Sequence, residues 1–363
     1  MVLSYKKASA EDAVVTVVCT EDRPFRVLQL SDMQIINIAD TRNATRDRQI
    51  KNAYFKEGVP DMDVRCFQYV YELVERTKPD LIVLCGDNIY GEFDDKGEML
   101  KLMIERMEEL GVPWAPLFGN HDAESRMGIT RQMERLGNAP TCLFTEGNCT
   151  GHSNYAIRIC CPDGTDITTL YLLDTNGCVT VGNPHAPEEG ITADNIDYDK
   201  IEHCMGIYPD QIAWYRKTAE HLAQVNGRKV PSLAFFHIPI HMYDVAFEKE
   251  YGYVFGQDFH ADHSGDQGVL CEHNKAHVDP DDSFYRMARS VGTNGFFTGH
   301  EHKNDAVIHH DGAVFAYGVK TGIATYYRDD AIGGTLISVL MDGTFKIQQE
   351  YCQKRMDIRV INQ

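Results

Sequence analysis

The chain has 363 residues, of which 43% are hydrophobic and 25% are charged, a composition typical of globular proteins. Acidic residues outnumber basic ones by 54 to 35, and the formal net charge of −19 argues against a nucleic-acid or anionic-membrane partner. Eleven cysteines without Cys-x-x-Cys spacing argue against a disulfide framework, so we expect the protein to be located in a reducing cytoplasm. A leader peptide removed ahead of the first residue would instead favour secretion.

Strands and helices alternate in the first third of the predicted structure. Runs rich in Val and Leu predict strands, and apolar residues at helical spacing predict amphipathic helices. The predicted strands are residues 14–19, 25–30, 81–85 and 114–118, and the predicted helices are residues 65–76 and 98–110. Such alternation predicts parallel strands, and open α/β sheets bind ligands beyond the carboxyl ends of parallel strands.

The second half of the chain has more antiparallel character. Its predicted strands are residues 154–159, 169–173, 233–236, 295–298, 335–340 and 344–349, and a helix is predicted from residue 209 to about residue 225. Asp342-Gly343 predicts a hairpin between the last two strands. We therefore expect an α/β fold in which two mixed β-sheets pack face to face with flanking helices, as one domain over residues 1–363. Residues 35–61 and 241–281 are expected to be irregular insertions at the rim of the site.

Five short polar motifs each follow an apolar, strand-like run. They are Leu28-Gln29-Leu30-Ser31-Asp32, Gly86-Asp87-Asn88-Ile89-Tyr90, Gly119-Asn120-His121-Asp122, Phe236-His237-Ile238-Pro239 and Gly299-His300-Glu301-His302. Carboxylates, an amide oxygen and imidazoles are the ligands that hard and borderline cations take in proteins. The five motifs together predict a binuclear metal site. His300 and His302 lie two residues apart, so in an extended segment they would share a face.

These motifs resemble those of calcineurin-like metallophosphoesterases, in the branch similar to purple acid phosphatases and their fungal and plant relatives. The resemblance covers nearly the whole chain and implies the αββα sandwich of that superfamily. It implies that Asp87 bridges two metal ions and takes part in catalysis. The first ion would be held by Asp32 and His302, and the second by Asn120, His237 and His300. His121 would lie beside the metals, where the resemblance implies that it contacts the phosphate or protonates the leaving oxygen.

The first motif departs from the pattern of much of this superfamily, which has Asp-x-His there. This chain reads Asp32-Met33-Gln34, and a glutamine is a poor replacement for an imidazole ligand. Purple acid phosphatases also lack that histidine and use the tyrosine of Gly-Asp-x-x-Tyr, which is Tyr90 here. The resemblance therefore implies a phenolate ligand suited to Fe(III), paired with Zn(II), Mn(II) or Fe(II). The alternative is that Tyr90 only packs and the first metal is weakly held.

The predicted activity is hydrolysis of phosphoesters on a small molecule or a protein by a metal-activated hydroxide, with monoesters as the expected substrates. One alternative is a phosphodiesterase acting on nucleotide or lipid-headgroup diesters. Another is a catalytically silent binding scaffold, for which Gln34 is the argument. The sequence leaves the oligomeric state open.

Overall fold

The computed structural model describes residues 4–6, 13–37, 62–176, 205–252, 259–260, 265–272 and 278–352. Within these ranges fifteen strands and six α-helices form. The strands are β1 (Ser4–Lys6), β2 (Val14–Val18), β3 (Phe25–Leu30), β4 (Leu81–Cys85), β5 (Trp114–Leu117), β6 (Tyr155–Cys160), β7 (Asp166–Leu173), β8 (Ser232–Phe236), β9 (Phe259–His260), β10 (Val269–Leu270), β11 (Thr293–Thr298), β12 (Val307–His310), β13 (Ala313–Tyr317), β14 (Gly333–Val339) and β15 (Phe345–Tyr351). The helices are α1 (Met62–Thr77), α2 (Glu98–Glu109), α3 (Ile129–Asn138), α4 (Pro209–Asn226), α5 (Met242–Tyr251) and α6 (Ser283–Val291).

Most of these strands belong to two mixed sheets. One sheet has eight strands in the order β1-β2-β6-β7-β8-β11-β13-β12, and the other has five in the order β15-β14-β3-β4-β5. Strands β3, β4 and β5 run parallel to one another, as do β7, β8, β11 and β13. The carboxyl ends of each parallel group therefore meet at one edge of its sheet.

Alternating side chains on β8 show how the layers pack. Phe235 lies in the same apolar cluster as Val83 of the five-stranded sheet. Its neighbour Phe236 points to the opposite face, where it lies in the cluster that contains Tyr215 of α4 and Phe284 of α6. Because successive side chains of a strand point to opposite faces, the eight-stranded sheet is buried on both sides. The predicted fold class, two mixed sheets with flanking helices, is confirmed.

Most predicted elements agree with the structure, but the prediction of an irregular stretch over residues 241–281 was wrong in part. The stretch contains α5, which buries Met242, Tyr243, Ala246 and Phe247, and the short strands β9 and β10. Residues 38–61, most of the other predicted insertion, lie outside the described residues. None of the helices in the described ranges is long and apolar enough to cross a membrane.

Candidate metal centre

The predicted ligands lie just past the ends of five strands: β3, β4 and β5 in one sheet, and β8 and β11 in the other. Hydrogen bonds join the strand ends at this edge, both between the two sheets and within each of them. His237 Nδ1 lies 2.9 Å from the carbonyl oxygen of Cys85, and the Gly299 amide donates to the carbonyl of His237 at 3.0 Å. The Asp32 amide donates to the carbonyl of Gly86 at 3.2 Å. The motifs are therefore brought together by the meeting of two sets of parallel strand ends.

Three of the predicted ligands form one compact group, which we call the first metal position. Ligand atoms of Asp32, Asp87 and His302 all lie within 4.8 Å of one another, and all three residues are buried. His302 Nε2 lies 3.3 Å from Asp32 Oδ1. The other ring nitrogen, Nδ1, lies 3.0 Å from the carbonyl oxygen of Tyr326, which assigns its proton to that bond. Nε2 therefore presents its lone pair to the group, as a metal-binding imidazole requires.

Three further predicted ligands, His237, His300 and Asn120, form a second group that contacts Asp87 through His237, which we call the second metal position. His237 Nε2 lies 3.3 Å from Asp87 Oδ2, and His300 Nδ1 lies 3.0 Å from Asn120 Oδ1. Two ligand atoms held about 2.1 Å from one ion, at angles between a right angle and the tetrahedral one, are about 3.0–3.4 Å apart. The observed separations match that spacing.

Two atoms of the site support a metal role independently of any motif. Asp32 Oδ1 and His237 Nε2 are buried and make no hydrogen bond within the described part of the chain. Leaving such atoms unsatisfied in the interior is unfavourable, and a coordinated cation would satisfy both. Gly86 leaves room for the His237 side chain, since a Cβ added at Gly86 would lie 2.5 Å from His237 Nδ1. The donors present therefore fit a pair of cations.

The charges in this cluster are strongly coupled. Burial opposes ionisation of Asp32, but His302, His237 and Lys320 outweigh it and lower the pKa of this carboxyl. Burial likewise opposes a charge on His237, yet the Asp87 and Asp32 carboxylates raise its pKa to about 10. Burial and the neighbouring His237 lower the pKa of His300 to about 3. A proton on His237 thus balances the carboxylates where a cation would otherwise do so, and cation binding must weaken as the pH falls.

Four residues at this edge have a strained backbone. Asp32, Gln34, Asp87 and His300 all have positive φ, at 51°, 43°, 49° and 71°. Residues with a side chain rarely adopt positive φ, and strained residues of this kind occur mainly at functional sites. The value at His300 also corrects the expectation of an extended segment, because His300 and His302 lie in a turn after β11.

His121 lies beside the ligands, as predicted. Its amide donates to Asp87 Oδ1 at 2.8 Å, and its Nδ1 lies 2.9 Å from Glu124 Oε2. The ring stacks on Tyr90, with centroids 4.3 Å apart and an interplanar angle of 21°. Tyr90 is buried and also packs edge-on against Phe93. Its role as a ligand remains a prediction.

Two acids of the third motif, Asp122 and Glu124, are buried parts of the site rather than surface acids. Asp122 accepts hydrogen bonds from the amides of Gly119 at 2.7 Å and Ile89 at 3.0 Å. It therefore ties the loop after β4 to the loop after β5. Burial and the Asp87 charge raise the pKa of Asp122 to about 7.

Sequence reasoning assigned no role to a polar group that approaches the first metal position. Lys320 is buried, and its Nζ donates to the Asp32 carbonyl and to Gln34 Oε1, each at 2.9 Å. Thr325 Oγ1 donates to the same Gln34 oxygen at 2.6 Å. The available signal was a single lysine placed in the apolar run that follows β13.

The fold and the site together define a two-sheet sandwich that gathers carboxylate, amide and imidazole side chains at its strand ends, a set of donors that fits cations. The Calcineurin-like phosphoesterase family matches residues 25–304, a stretch that contains every predicted ligand, and the chain belongs to this family.

Individual proteins of this kind resemble the chain over most of its length. "Probable inactive purple acid phosphatase 14" of Arabidopsis thaliana is 25% identical over 84% of this chain and 72% of its own length. "Phosphatase DCR2" of Saccharomyces cerevisiae is 25% identical over 62% of this chain and 36% of its own length. Among solved structures, a dimetal phosphatase from Danio rerio superposes with a TM-score of 0.52 at 14% identity, covering 88% of this chain and 94% of that one. This last likeness supports the fold alone.

Proposed function

We propose that the protein is a metal-dependent phosphoester hydrolase that acts on phosphomonoesters. The observation that carries the proposal is the convergence of two carboxylates, one amide oxygen and three imidazoles at the edge where the two sheets meet. The proposed ligands are Asp32, Asp87, Asn120, His237, His300 and His302. A pair of cations supplies Lewis acidity towards water and towards the oxygens of a phosphoryl group.

In this proposal His121 serves the leaving group. Its Nδ1 faces Glu124, and in this proposal the opposite ring nitrogen, Nε2, carries the proton that is transferred. The Glu124 carboxylate stabilises a protonated imidazole, which would donate its proton to the departing oxygen. The stacked Tyr90 ring fixes the plane of the imidazole. His121 keeps contact with solvent, since its side chain is 19% exposed.

The first experiment compares hydrolysis of p-nitrophenyl phosphate and bis(p-nitrophenyl) phosphate by protein loaded with Mn(II), Zn(II) or iron. We expect faster turnover of the monoester, and no turnover of either compound by Asp87→Asn. Faster turnover of the diester would replace the monoesterase proposal with a phosphodiesterase. Turnover that persists in Asp87→Asn would contradict the assignment of this centre.

We further propose that the first position holds Fe(III) with Tyr90 as a ligand. A ferric phenolate absorbs visible light through charge transfer, so the iron-loaded protein should be coloured and Tyr90→Phe should lose the band. Tyr285→Phe is the control for the loss of a tyrosine. Tyr285 is similarly buried but lies in the core that the helices cover. A colourless iron-loaded protein, or a band unchanged in Tyr90→Phe, would rule the ligand out.

A catalytically silent scaffold is the second candidate. Gln34 favours it, because this residue stands where much of the family has a metal-binding histidine. The similar Arabidopsis protein is also named as a probable inactive phosphatase. Metal-loaded protein that binds cations but turns over no faster than Asp87→Asn would establish this alternative.

A further inference from the structure

The side chain of Gln34 is fully buried between the first metal position and a pair of donors. Its Oε1 accepts hydrogen bonds from Lys320 Nζ at 2.9 Å and from Thr325 Oγ1 at 2.6 Å. Its Nε2 donates to Asp87 Oδ2 at 3.1 Å. Every polar atom of the amide is therefore engaged, one end with the lysine and the threonine and the other with the bridging carboxylate.

Lys320 determines which end of the amide faces Asp87. An ammonium group has three donors and no acceptor, so it must meet the oxygen of Gln34 and not the nitrogen. Lys320 is itself held, because it also donates to the Asp32 carbonyl at 2.9 Å and is 1% exposed. The amide nitrogen that then faces Asp87 has no lone pair for a cation. Gln34 in this orientation is a hydrogen-bond donor and not a ligand.

The same contact acts on Asp87. A carboxylate oxygen has about two lone pairs, and an oxygen shared by two cations uses both. Asp87 Oδ2 already gives one of them to Gln34, while it faces His237 Nε2 of the second position at 3.3 Å. Asp87 Oδ2, the carboxylate oxygen that faces His237, is thus only partly available to a cation. The second position draws in addition on Asn120 and His300, whereas the first has Asp32 and His302.

We propose that Lys320 and Thr325 hold Gln34 as a donor to Asp87, and that for a divalent cation such as Mn(II), to which a neutral phenol is a poor ligand, this arrangement makes the first metal position the weaker of the two. Lys320 and Gln34 are in this sense positioning residues, which set metal affinity through Asp87. The inference rests on the proposed function only in that the centre holds two cations.

The test is a titration of the chelator-treated, full-length protein with Mn(II) alone, measured by equilibrium dialysis. We expect one tight and one weak binding event in the wild type. Asn120→Ala should weaken the tight event and leave the weak one, which assigns the two. Gln34→His supplies an imidazole, and Lys320→Met frees the Gln34 amide to turn its oxygen towards the cation. Each should tighten the weak event by roughly 10-fold to 100-fold, the range seen when groups next to metal ligands are changed.

Lys303→Met is the matched control, because it also removes a positive charge close to His302 but Lys303 contacts Glu272 and not Gln34. We expect no tightening in this variant. If Lys320→Met does not fold by circular dichroism, Thr325→Val removes the other donor to Gln34 Oε1 and should tighten the weak event in the same direction.

Two equally tight events in the wild type would overturn the inference, as would an unchanged weak event in both Gln34→His and the donor variants. Tightening by Lys303→Met equal to that by Lys320→Met would overturn it too, since charge alone would then explain the effect. Failure of the proposed function gives a different pattern. One tight and one weak Mn(II) binding event without phosphoester turnover would refute the proposed catalysis alone. Equal Mn(II) affinities at the two positions, with turnover, would refute this inference alone.

Discussion

His121 contacts the Asp87 carboxylate through its backbone and a glutamate through its ring, so its imidazole can be removed without removing a proposed metal ligand. We predict that His121→Ala retains both cations and loses activity on p-nitrophenyl phosphate by about 10²–10⁴-fold, the usual contribution of a general acid. Elemental mass spectrometry gives the metal content, and steady-state kinetics give kcat.

His310→Ala is the control for this prediction. His310 also pairs with a glutamate, Glu250 at 2.6 Å, and its side chain is 18% exposed against 19% for His121. It lies on β12, away from the predicted ligands, so its loss should leave kcat unchanged. Loss of a cation from His121→Ala would contradict the assignment, because His121 would then be a ligand or a necessary support for one.

At the level of single residues, the sequence predicts ligands better than the groups that orient them. Each ligand belongs to a motif read within a few neighbouring positions. The partners of Gln34 are 286 and 291 residues away along the chain. Pairing over such distances depends on how β3 and the segment after β13 pass each other, which a local motif does not contain. Gln34 therefore reads in the sequence as a missing ligand, and in the structure as a hydrogen-bonded group.

The elements that present the ligands leave little room around them, and Gly86 at the end of β4 is the clearest case. It has φ of +81°, and a Cβ there would lie 2.5 Å from His237 Nδ1, the nitrogen that faces the Cys85 carbonyl. His237 is fully buried and cannot move aside freely. We predict that Gly86→Ala displaces this imidazole and weakens the tight Mn(II) event by roughly 10-fold to 100-fold, as disruption of a ligand's supporting contacts does elsewhere.

Gly111→Ala separates this effect from backbone strain. Gly111 follows α2 with φ of +63°, and a Cβ there meets nothing within 4 Å. Both substitutions carry the strain of a left-handed alanine, about 1–2 kcal/mol, but only the one at Gly86 touches a ligand. Equal loss of Mn(II) affinity in the two variants would show that general destabilisation, and not displacement of His237, is responsible.

Strands and helices could be predicted where the spacing of apolar residues and the polar or turn residues that flank them indicate the same boundaries. Strands β3 and β4 have the predicted bounds because each is an apolar run that ends at a polar motif. Helix α5 was not predicted, because residues 241–281 were interpreted as an irregular insertion. The helix begins after Pro239, and a proline ahead of a helix does not interrupt the hydrogen bonds within it.

On the scale of the whole molecule, the proposed metal centre lies where the two sheets meet, and these sheets are otherwise held mainly by apolar packing. Asp32, Asp87 and Asn120 come from the five-stranded sheet, and the three imidazoles come from the eight-stranded sheet. Unfolding of either sheet separates the ligands. A cation that binds only the assembled centre must therefore stabilise the entire fold, by RT ln(1 + [M]/Kd) for each position.

We accordingly predict that Mn(II) at 100 times the Kd of the tight event raises the free energy of unfolding by about 2.7 kcal/mol relative to protein in chelator. Urea unfolding followed by circular dichroism measures the difference. Asp87→Asn should lose the increment, because Asp87 faces the ligands of both positions. Asp163→Asn removes an exposed carboxylate in the turn between β6 and β7 and should retain the increment in full. If stabilisation by Mn(II) persists in Asp87→Asn, the cation binds elsewhere on this acidic chain, and the junction of the two sheets is not the site that couples metal binding to folding.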